Sequence, residues 1–288
     1  MSVVAGRAPA LGRLRRRGAR SGLIVWLAVV TLGLLAFVAL AAPLLAPHDP
    51  TTLDLSHALA GPSGAHPLGT DASGRDLLSR LMYGARSSLI GPLAVVLLAT
   101  AASTALGVAA AWAGGWVDGV IARGLDVVFS FPGILLAILA VALFGRGLGA
   151  PIAALAIAYT PYIARVARAA ALRERRQPYV AACELQGLSP LRICGRHLLP
   201  NIAPVLLAQA SLAFGLAMVD MAAISFLGFG VQPPTADWGA MVGSGQSSLL
   251  KGFPQETLFA GALIAIAVVA VTVLGQRVGR SPASEERA

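Results

Sequence analysis

Six long runs of residues without a charged side chain constrain the fold of this chain more than any other feature of its sequence. They are predominantly apolar. An α-helix needs about 20 residues (range about 17 to 25) to cross the hydrocarbon core of a bilayer, and each run is close to this length or longer. A helix also satisfies its own backbone hydrogen bonds there. The runs are Ser21–Pro47, Ser87–Val117, Val127–Gly145, Gly147–Ala164, Leu198–Val219 and Thr257–Gly275.

These runs predict an all-α, polytopic membrane protein with six transmembrane helices. We expect a transmembrane domain of residues 21–280, between an arginine-rich tail of residues 1–20 and a tail of residues 281–288. The second run exceeds one span, and the stretch "AGGWVDG" at its end is expected to form a turn. The predicted spans are about 22–46, 88–112, 127–145, 147–164, 202–226 and 257–275.

The distribution of lysine and arginine predicts the orientation of the chain. With the N-terminus inside, seventeen of the 22 basic residues lie in cytoplasmic segments and five lie outside. Basic residues near the ends of spans are retained on the cytoplasmic side, so we expect both termini in the cytoplasm. The leader and first run also fit a cleaved signal peptide with a site at Ala39-Leu40-Ala41, although the run is long for one. Cleavage would leave the orientation of the other spans unchanged.

The composition indicates a partner other than nucleic acid. The net charge is +9, but the mean hydropathy is +0.76, and the arginines lie between apolar runs without interleaved aromatic residues. This arrangement is typical of membrane topology, with lipid as the surrounding partner. Cys183 and Cys194 fit no disulfide framework or metal-ligand spacing, so we expect free thiols.

The segment of residues 178–200 concentrates polar residues between the fourth and fifth runs. "YVAACELQ" predicts a short helix, and Gly187 suits the left-handed position that closes it. Ser189 followed by Pro190 predicts the start of a second helix, from about Leu191 to Leu199. Positive charge alone is explained by a solvated cytoplasmic loop. A capped helix–turn–helix between two spans favours insertion into a groove on another protein.

This segment resembles the EAA motif, the coupling loop of the permeases of ABC importers. That motif reads Glu-Ala-Ala, three residues, Gly, nine residues, then Ile-x-Leu-Pro. This chain departs from it at Ala181, Cys183 and His197. The resemblance implies a docking site for a separate ATPase, with candidate contacts Tyr179, Ala181, Ala182, Cys183, Gly187, Ser189, Arg192, Arg196, Leu199 and Pro200.

Two further stretches resemble one branch of these permeases. "HPLGTDASGRDLLSRLMYGARSSL" (66–89) and "SFLGFGVQPPTADWGAM" (225–241) are similar to signatures of the peptide/opine/nickel branch, in its dipeptide- or oligopeptide-type C subunit. The end of the chain, "LGQRVGRSPASEERA", departs from the acidic tail of that family. The resemblance implies a type I ABC-importer permease fold in the plasma membrane of a prokaryote. The implied cargo is a dipeptide, an oligopeptide, an opine or a nickel chelate.

The same resemblance implies the partners. They are a second permease subunit, expected to be a different chain, two cytoplasmic ATPases and an extracytoplasmic solute-binding protein. We expect no cofactor on this chain, because it contains no G-x-x-x-x-G-K-[ST] phosphate-binding motif and its only lysine is Lys251. ATP is then bound by the separate ATPase subunits.

Candidate contacts with the binding protein lie in two loops on the outer side. Asp71, Arg75 and Asp76 precede the second run, where local capping and ion pairing explain them equally well. Pro233, Pro234 and Trp238 precede the last run. There, Trp238 also fits an anchor at the membrane interface.

Asp220 is a candidate pathway residue, because an acid late in an apolar run usually faces a cavity or a partner. Two other classes of function remain as alternatives. A secondary transporter or channel would usually show several intramembrane ionisable sites or internal repeats, and this chain shows one acid and no clear repeat. An intramembrane hydrolase would need a base beside Gly243-Ser244-Gly245, yet all four histidines fall in loops.

Overall fold

The computed structural model describes residues 10–278, with side chains from 22 to 277. The predicted tail of residues 281–288 and the first nine residues lie outside the described part. Within it the chain is helical, with one isolated bridge between Thr70 and Asp76 and no strand. The helices are α1 (Ala10–Leu45), α2 (Leu77–Ala113), α3 (Gly115–Phe129), α4 (Gly133–Phe144), α5 (Gly149–Arg175), α6 (Pro178–Leu185), α7 (Pro190–Ile193), α8 (Leu199–Phe226), α9 (Trp238–Ser244), α10 (Gln246–Leu250) and α11 (Gln255–Val278).

Five stretches among the described residues are long and apolar enough to cross a membrane. They are α1 from Gly22, α2, α5, the continuous helix Pro190–Phe226 and α11. A sixth is obtained if α3 and α4, which meet at an 80° bend, count as one broken span. The prediction of an all-α, multi-pass membrane protein is therefore confirmed.

The helices differ from the predicted spans at several boundaries. α2 begins at Leu77, eleven residues before the predicted start, because Asp76 caps it there. The predicted span of residues 127–145 is divided after Phe129, since Pro132 has no N–H for a helical bond and disfavours helical backbone in the residue before it. α5 continues past Ala164 to Arg175, and its last turns carry arginine.

Close approach of α2 and α5 organises the interior. Val95, Val96 and Ala99 of α2 pack with Leu155 and Ile163 of α5 in the largest buried cluster, which also takes in α4 and α8. A second cluster joins α1, α2, α8, α9 and α11 around the first half of α2. A third joins α2, α5 and α8 beside α6 and α7. Small residues are frequent in all three, as expected where helix backbones pack closely in a membrane.

The outer surface is apolar. Large side chains such as Trp26, Leu40, Leu44, Leu139 and Phe144 are exposed on α1 and α4. A surface of this size would be an interaction site on a soluble monomer. On a chain with five or six spans, it suits contact with lipid and with other membrane subunits.

Gly107 tests the contact between α2 and α5. A Cβ atom at this position would lie 2.7 Å from Ala167 Cβ and 2.8 Å from Arg168 N. We therefore expect Gly107→Leu to separate the helices and to lower stability by about 1–3 kcal/mol or more. Gly119→Leu on α3 is the matched control, because a Cβ there meets nothing within 4 Å. The check is thermal unfolding of the purified chain in detergent, and equal midpoints for the two variants would contradict the packing.

Candidate functional site

The segment of residues 178–200 joins α5 to α8 at one end of the helix bundle, which we call the α6–α7 end. α6 is followed by a turn that places Gly187 at φ +74°. The turn is closed by Gly187 N donating to Glu184 O at 3.0 Å and by Leu188 N donating to Cys183 O at 3.2 Å. This is the left-handed helix ending that the sequence predicts at Gly187.

The second half of the segment differs from the predicted separate helix. α7 continues through a π-helical turn, Cys194–Leu198, directly into α8. Pro190 occupies the first turn as expected, but the Ser189 side chain makes no capping bond. Instead, Ser189 O accepts hydrogen bonds from the N–H groups of Arg192 and Ile193, each at 3.0 Å. The segment therefore contains one short helix, α6, docked on an extension of α8.

A triangle of hydrogen bonds fixes α6 to both neighbouring helices. Tyr179 Oη donates to Glu174 Oε1 at 3.0 Å, and Asn201 Nδ2 donates to the same carboxylate oxygen at 3.1 Å and to Tyr179 Oη at 3.1 Å. A tyrosine hydroxyl is protonated at neutral pH and can donate, and desolvation raises the pKa of Tyr179 further. Val180 and Ile193, which belong to the segment, are fully buried. α5, α6 and α8 are consequently held as one unit.

Arg175 fastens this unit to the end of α2. Its guanidinium donates to the carbonyl oxygens of Ala111 and Trp112 and lies 4.8 Å from the Trp112 ring centroid. These carbonyls are among the last of α2, which have no partner within the helix. The sequence indicated a basic segment here, but the partner of Arg175 became visible only in the fold.

The outer surface of the segment carries most of the predicted contacts and two large apolar side chains. Leu185 is 90% exposed and Leu191 is 88% exposed, although leucine is usually buried. Neither was predicted as a contact, although the sequence has a leucine on each side of the Gly187 turn among polar residues. Of the predicted contacts, Ala181, Ala182, Gly187, Ser189, Arg192, Arg196 and Pro200 are exposed, and Tyr179, Cys183 and Leu199 are half-buried.

Asp220 lies in the last third of α8 and is half-buried. It accepts a hydrogen bond from Tyr159 Oη of α5 at 2.9 Å. An acid within a spanning helix is costly unless it has a partner, and Tyr159 is that partner. The pair joins α5 and α8 in the half of the bundle away from the α6–α7 end.

At that opposite end, the loop between α1 and α2 is fixed by its own acids. Buried Asp71 pairs with Arg75 at 2.7 Å and with Arg80 at 3.4 Å. Asp76 is also buried and caps α2 by accepting hydrogen bonds from Ser79 N and Oγ at 2.8 and 2.7 Å. The predicted binding-protein contacts at these two acids need revision, because their side chains are enclosed by the chain itself.

Trp238 likewise lies inside the protein rather than at its surface. It is fully buried, and its indole Nε1 donates to Leu81 O of α2 at 2.8 Å. Contrary to the prediction from sequence, Trp238 is therefore neither an anchor at the membrane interface nor a direct contact for the binding protein. It joins α9 to α2 instead. Pro233 and Pro234 are exposed beside it. A cavity of about 680 Å³ opens nearby, with Pro47, His48, Arg86 and Ala236 in its walls.

Ser244 does not have the surroundings of a nucleophile. Its hydroxyl donates to Glu256 Oε1 at 2.7 Å and also contacts Met241 O at 3.3 Å. Among the described side chains no histidine accepts its proton, which a serine nucleophile would need. The bond joins α9 to the start of α11.

Comparison with known proteins gives one consistent result. The family described as binding-protein-dependent transport system inner membrane component matches residues 103–280. The chain is 37% identical to the dipeptide transport system permease protein of Alkalihalophilus pseudofirmus, over 88% of this chain and 82% of that one. It is also 37% identical to the di/tripeptide permease protein of Pseudomonas aeruginosa, over 90% and 85% of the two chains. The glutathione permease protein of Pectobacterium atrosepticum is 37% identical over 84% and 80%.

Burial of Trp238 leads to a specific expectation for stability. Trp238→Ala should cost about 3–5 kcal/mol, because it leaves a large cavity between α2 and α9. Trp116→Ala is the matched control, since Trp116 is 79% exposed. Thermal unfolding of both variants in the same detergent measures the difference. A Trp238→Ala midpoint as high as that of Trp116→Ala would contradict the buried position.

Proposed function

Since this chain belongs to the family of binding-protein-dependent transport system inner membrane components, we propose a specific division of work between its two ends. It is a multi-pass permease subunit of an ABC importer and not an enzyme. We propose that the α6–α7 end receives force from an ATPase and that the opposite end receives a solute-binding protein. Peptide-like solutes are the proposed cargo. The named relatives transport dipeptides, di/tripeptides and glutathione.

The observation that carries the proposal is an exposed apolar surface on a rigidly anchored segment. Leu185 and Leu191 protrude on either side of Gly187, while Glu174, Tyr179 and Asn201 hold the segment to α5 and α8. An apolar knob of this kind suits a groove on another protein. Because its base is fixed to two spanning helices, displacement of the knob displaces those helices with it.

Charge supports the same assignment. Arg192 and Arg196 are exposed next to the two leucines, and within the described part of the chain neither pairs with an acid. We propose that the ATPase groove is apolar at its centre and acidic at its rim, which would orient docking. Two ATPases serve two permeases in this arrangement, and ATP is bound by the ATPases alone.

Orientation follows from the basic residues. The α6–α7 end carries Arg165, Arg168, Arg173, Arg175 and Arg176, and by the positive-inside rule these residues support a cytoplasmic position for this end. We propose that both termini are cytoplasmic and that the protein lies in a prokaryotic inner membrane. The binding protein then meets the opposite end. Exposed Pro233 and Pro234 and the rim of the 680 Å³ cavity are its proposed contacts, together with the partly exposed Arg75.

A second permease, expected to be a different chain, is proposed to cover part of the apolar surface. An apolar groove of about 770 Å³ runs along α2, with Leu97, Ala101, Ala105, Val108 and Trp112 among its α2 lining residues. Small side chains in such a groove allow close approach of another membrane helix. We propose that the solute passes between the two permeases and that Asp220 with Tyr159 lies beside this path.

Substitution of the two leucines tests the docking surface. We expect Leu185→Glu with Leu191→Glu to weaken ATPase binding by more than about tenfold, because it places charges in the centre of an apolar interface. Both side chains are exposed in the chain itself, so folding should be unchanged. Leu250→Glu is the matched control, being 85% exposed at the opposite end.

The measurement is ATP-dependent uptake by proteoliposomes that contain the complete transporter, together with co-purification of the ATPase. Loss of both in the leucine double variant, with retention of ATPase co-purification in Leu250→Glu, supports the proposal. Uptake at the normal rate in the double variant would refute docking at this surface.

Asp220→Asn tests the proposed pathway separately from the docking surface. The amide oxygen still accepts the Tyr159 hydrogen bond, so α5 and α8 should stay joined and ATPase binding should be unchanged. If the negative charge faces the solute, uptake of a cationic dipeptide should fall more than uptake of a neutral one. Equal uptake of both by the variant and the wild type would exclude Asp220 from the path.

A further inference from the structure

Three of the four histidines of this chain converge on the loop between α1 and α2. His48 and His66 have ring centroids 4.8 Å apart, and His57 lies 6.0 Å from His66. Successive histidines of this set are nine positions apart in the sequence, so the fold brings them together. His48 follows the end of α1, and His66 precedes the start of α2.

The buried carboxylate of Asp76 faces two of these rings. His66 Nδ1 lies 3.0 Å from Asp76 Oδ1, and His48 Nδ1 lies 3.9 Å from the same oxygen. One ligand atom from each of the three residues can be chosen so that all lie within 4.8 Å of one another. Ligand atoms about 2.0–2.2 Å from a common ion are separated by about 3–4 Å, so small rotations of the imidazoles complete the set.

The nearby arginines do not balance the charge of the Asp76 carboxylate. Asp71 pairs with both nearby arginines, Arg75 and Arg80. Within the described part of the chain, the ionisable partners of Asp76 are His48 and His66 alone. A buried carboxylate is costly unless it is paired or coordinates a metal. A divalent ion held between the two imidazoles would supply the balancing positive charge.

The outer contacts of the cluster hold the ligands in place. Ser79 Oγ donates to Asp76 Oδ2 at 2.7 Å and accepts from His48 N at 3.1 Å, which ties two of the three residues to one hydroxyl. His66 N donates to Ser63 Oγ at 3.0 Å. The bond to Asp76 holds its carboxylate as outer contacts hold the carboxylate ligands of metal sites, and the other two bonds fix the backbone at His48 and His66. His48 also lines the 680 Å³ cavity, which gives an ion a path to the cluster.

We propose that His48, His66 and Asp76 form a binding site for a divalent transition-metal ion, of which Zn²⁺ is the best match. Two imidazoles and one carboxylate form a ligand set that Zn²⁺ accepts, with water in the remaining position. The ion joins the end of α1 to the start of α2. It thereby stabilises the loop between these helices, at the end of the bundle opposite α6 and α7. The site is separate from the proposed ATPase-docking surface and does not depend on the cargo.

Metal titration of the purified full chain in lipid nanodiscs, without a polyhistidine tag, tests the site. Co²⁺ is the first probe, because its visible absorption reports coordination by protein ligands, and Zn²⁺ is then added to displace it. We expect one ion per chain. His48→Gln and His66→Gln should each weaken binding by at least about tenfold, since loss of even an outer-shell partner costs about 10–100-fold.

His57→Gln is the matched control, because it removes a neighbouring imidazole that contacts Asp54 instead of Asp76. It should bind as the wild type does. The His66→Gln side chain still has an N–H donor for Asp76. If His66 served only to donate a hydrogen bond, this variant would keep that function. Zn²⁺ should raise the unfolding temperature of the wild type and of His57→Gln but not of the His48→Gln, His66→Gln double variant. Equal Zn²⁺ binding by the wild type and the double variant would overturn the proposal.

Discussion

The contact between α2 and α5 is the interaction on which the rest of the structure depends. Gly107 allows the two backbones to approach, and Ser103 Oγ donates to Thr160 O across the same interface at 2.9 Å. In hydrocarbon there is little hydrophobic drive to bring helices together, so close packing and interhelical hydrogen bonds supply the stability. α2 leads out of the loop that holds Asp71 and Asp76, and α5 leads into α6. Both ends that are proposed to bind partner proteins are therefore built on this pair.

Charge is distributed so that the membrane interior holds little of it. Arg168 and Arg165 of α5 pair with Asp118 and Asp126 of α3, beside the α6–α7 end. Asp71 serves the arginines at the other end of the bundle. Between the two ends, Asp220 is bonded to Tyr159. An unpaired charge is costly in a bilayer, so the ion pairs lie towards the two ends of the bundle. These are the ends where partner proteins are proposed to bind.

The sequence predicted the helical membrane fold and the left-handed turn at Gly187, because each has a strong local cause. Long apolar runs have few alternatives to helix in a bilayer, and Gly187 combines a helix end with a proline shortly after it. The early start of α2 was not predicted, because the charge-free run begins only after Arg86 and the burial of Arg80 beside Asp71 is a property of the fold. Trp238 was assigned to the surface for the same reason: its partner, Leu81 O, is 157 residues away.

Rigidity at the α6–α7 end determines what kind of motion this chain can support. α2 contains 37 residues, so it extends about 55 Å, more than the about 40–45 Å of a bilayer with its headgroups. Arg175 joins its end to α5, and Glu174 joins α5 to α8 through Asn201. Helices joined in this way are displaced together when α6 is moved. If a second permease covers the apolar surface as proposed, alternating access is best served by rotation of the whole bundle against that partner. The path would then open and close along their shared surface rather than within one chain.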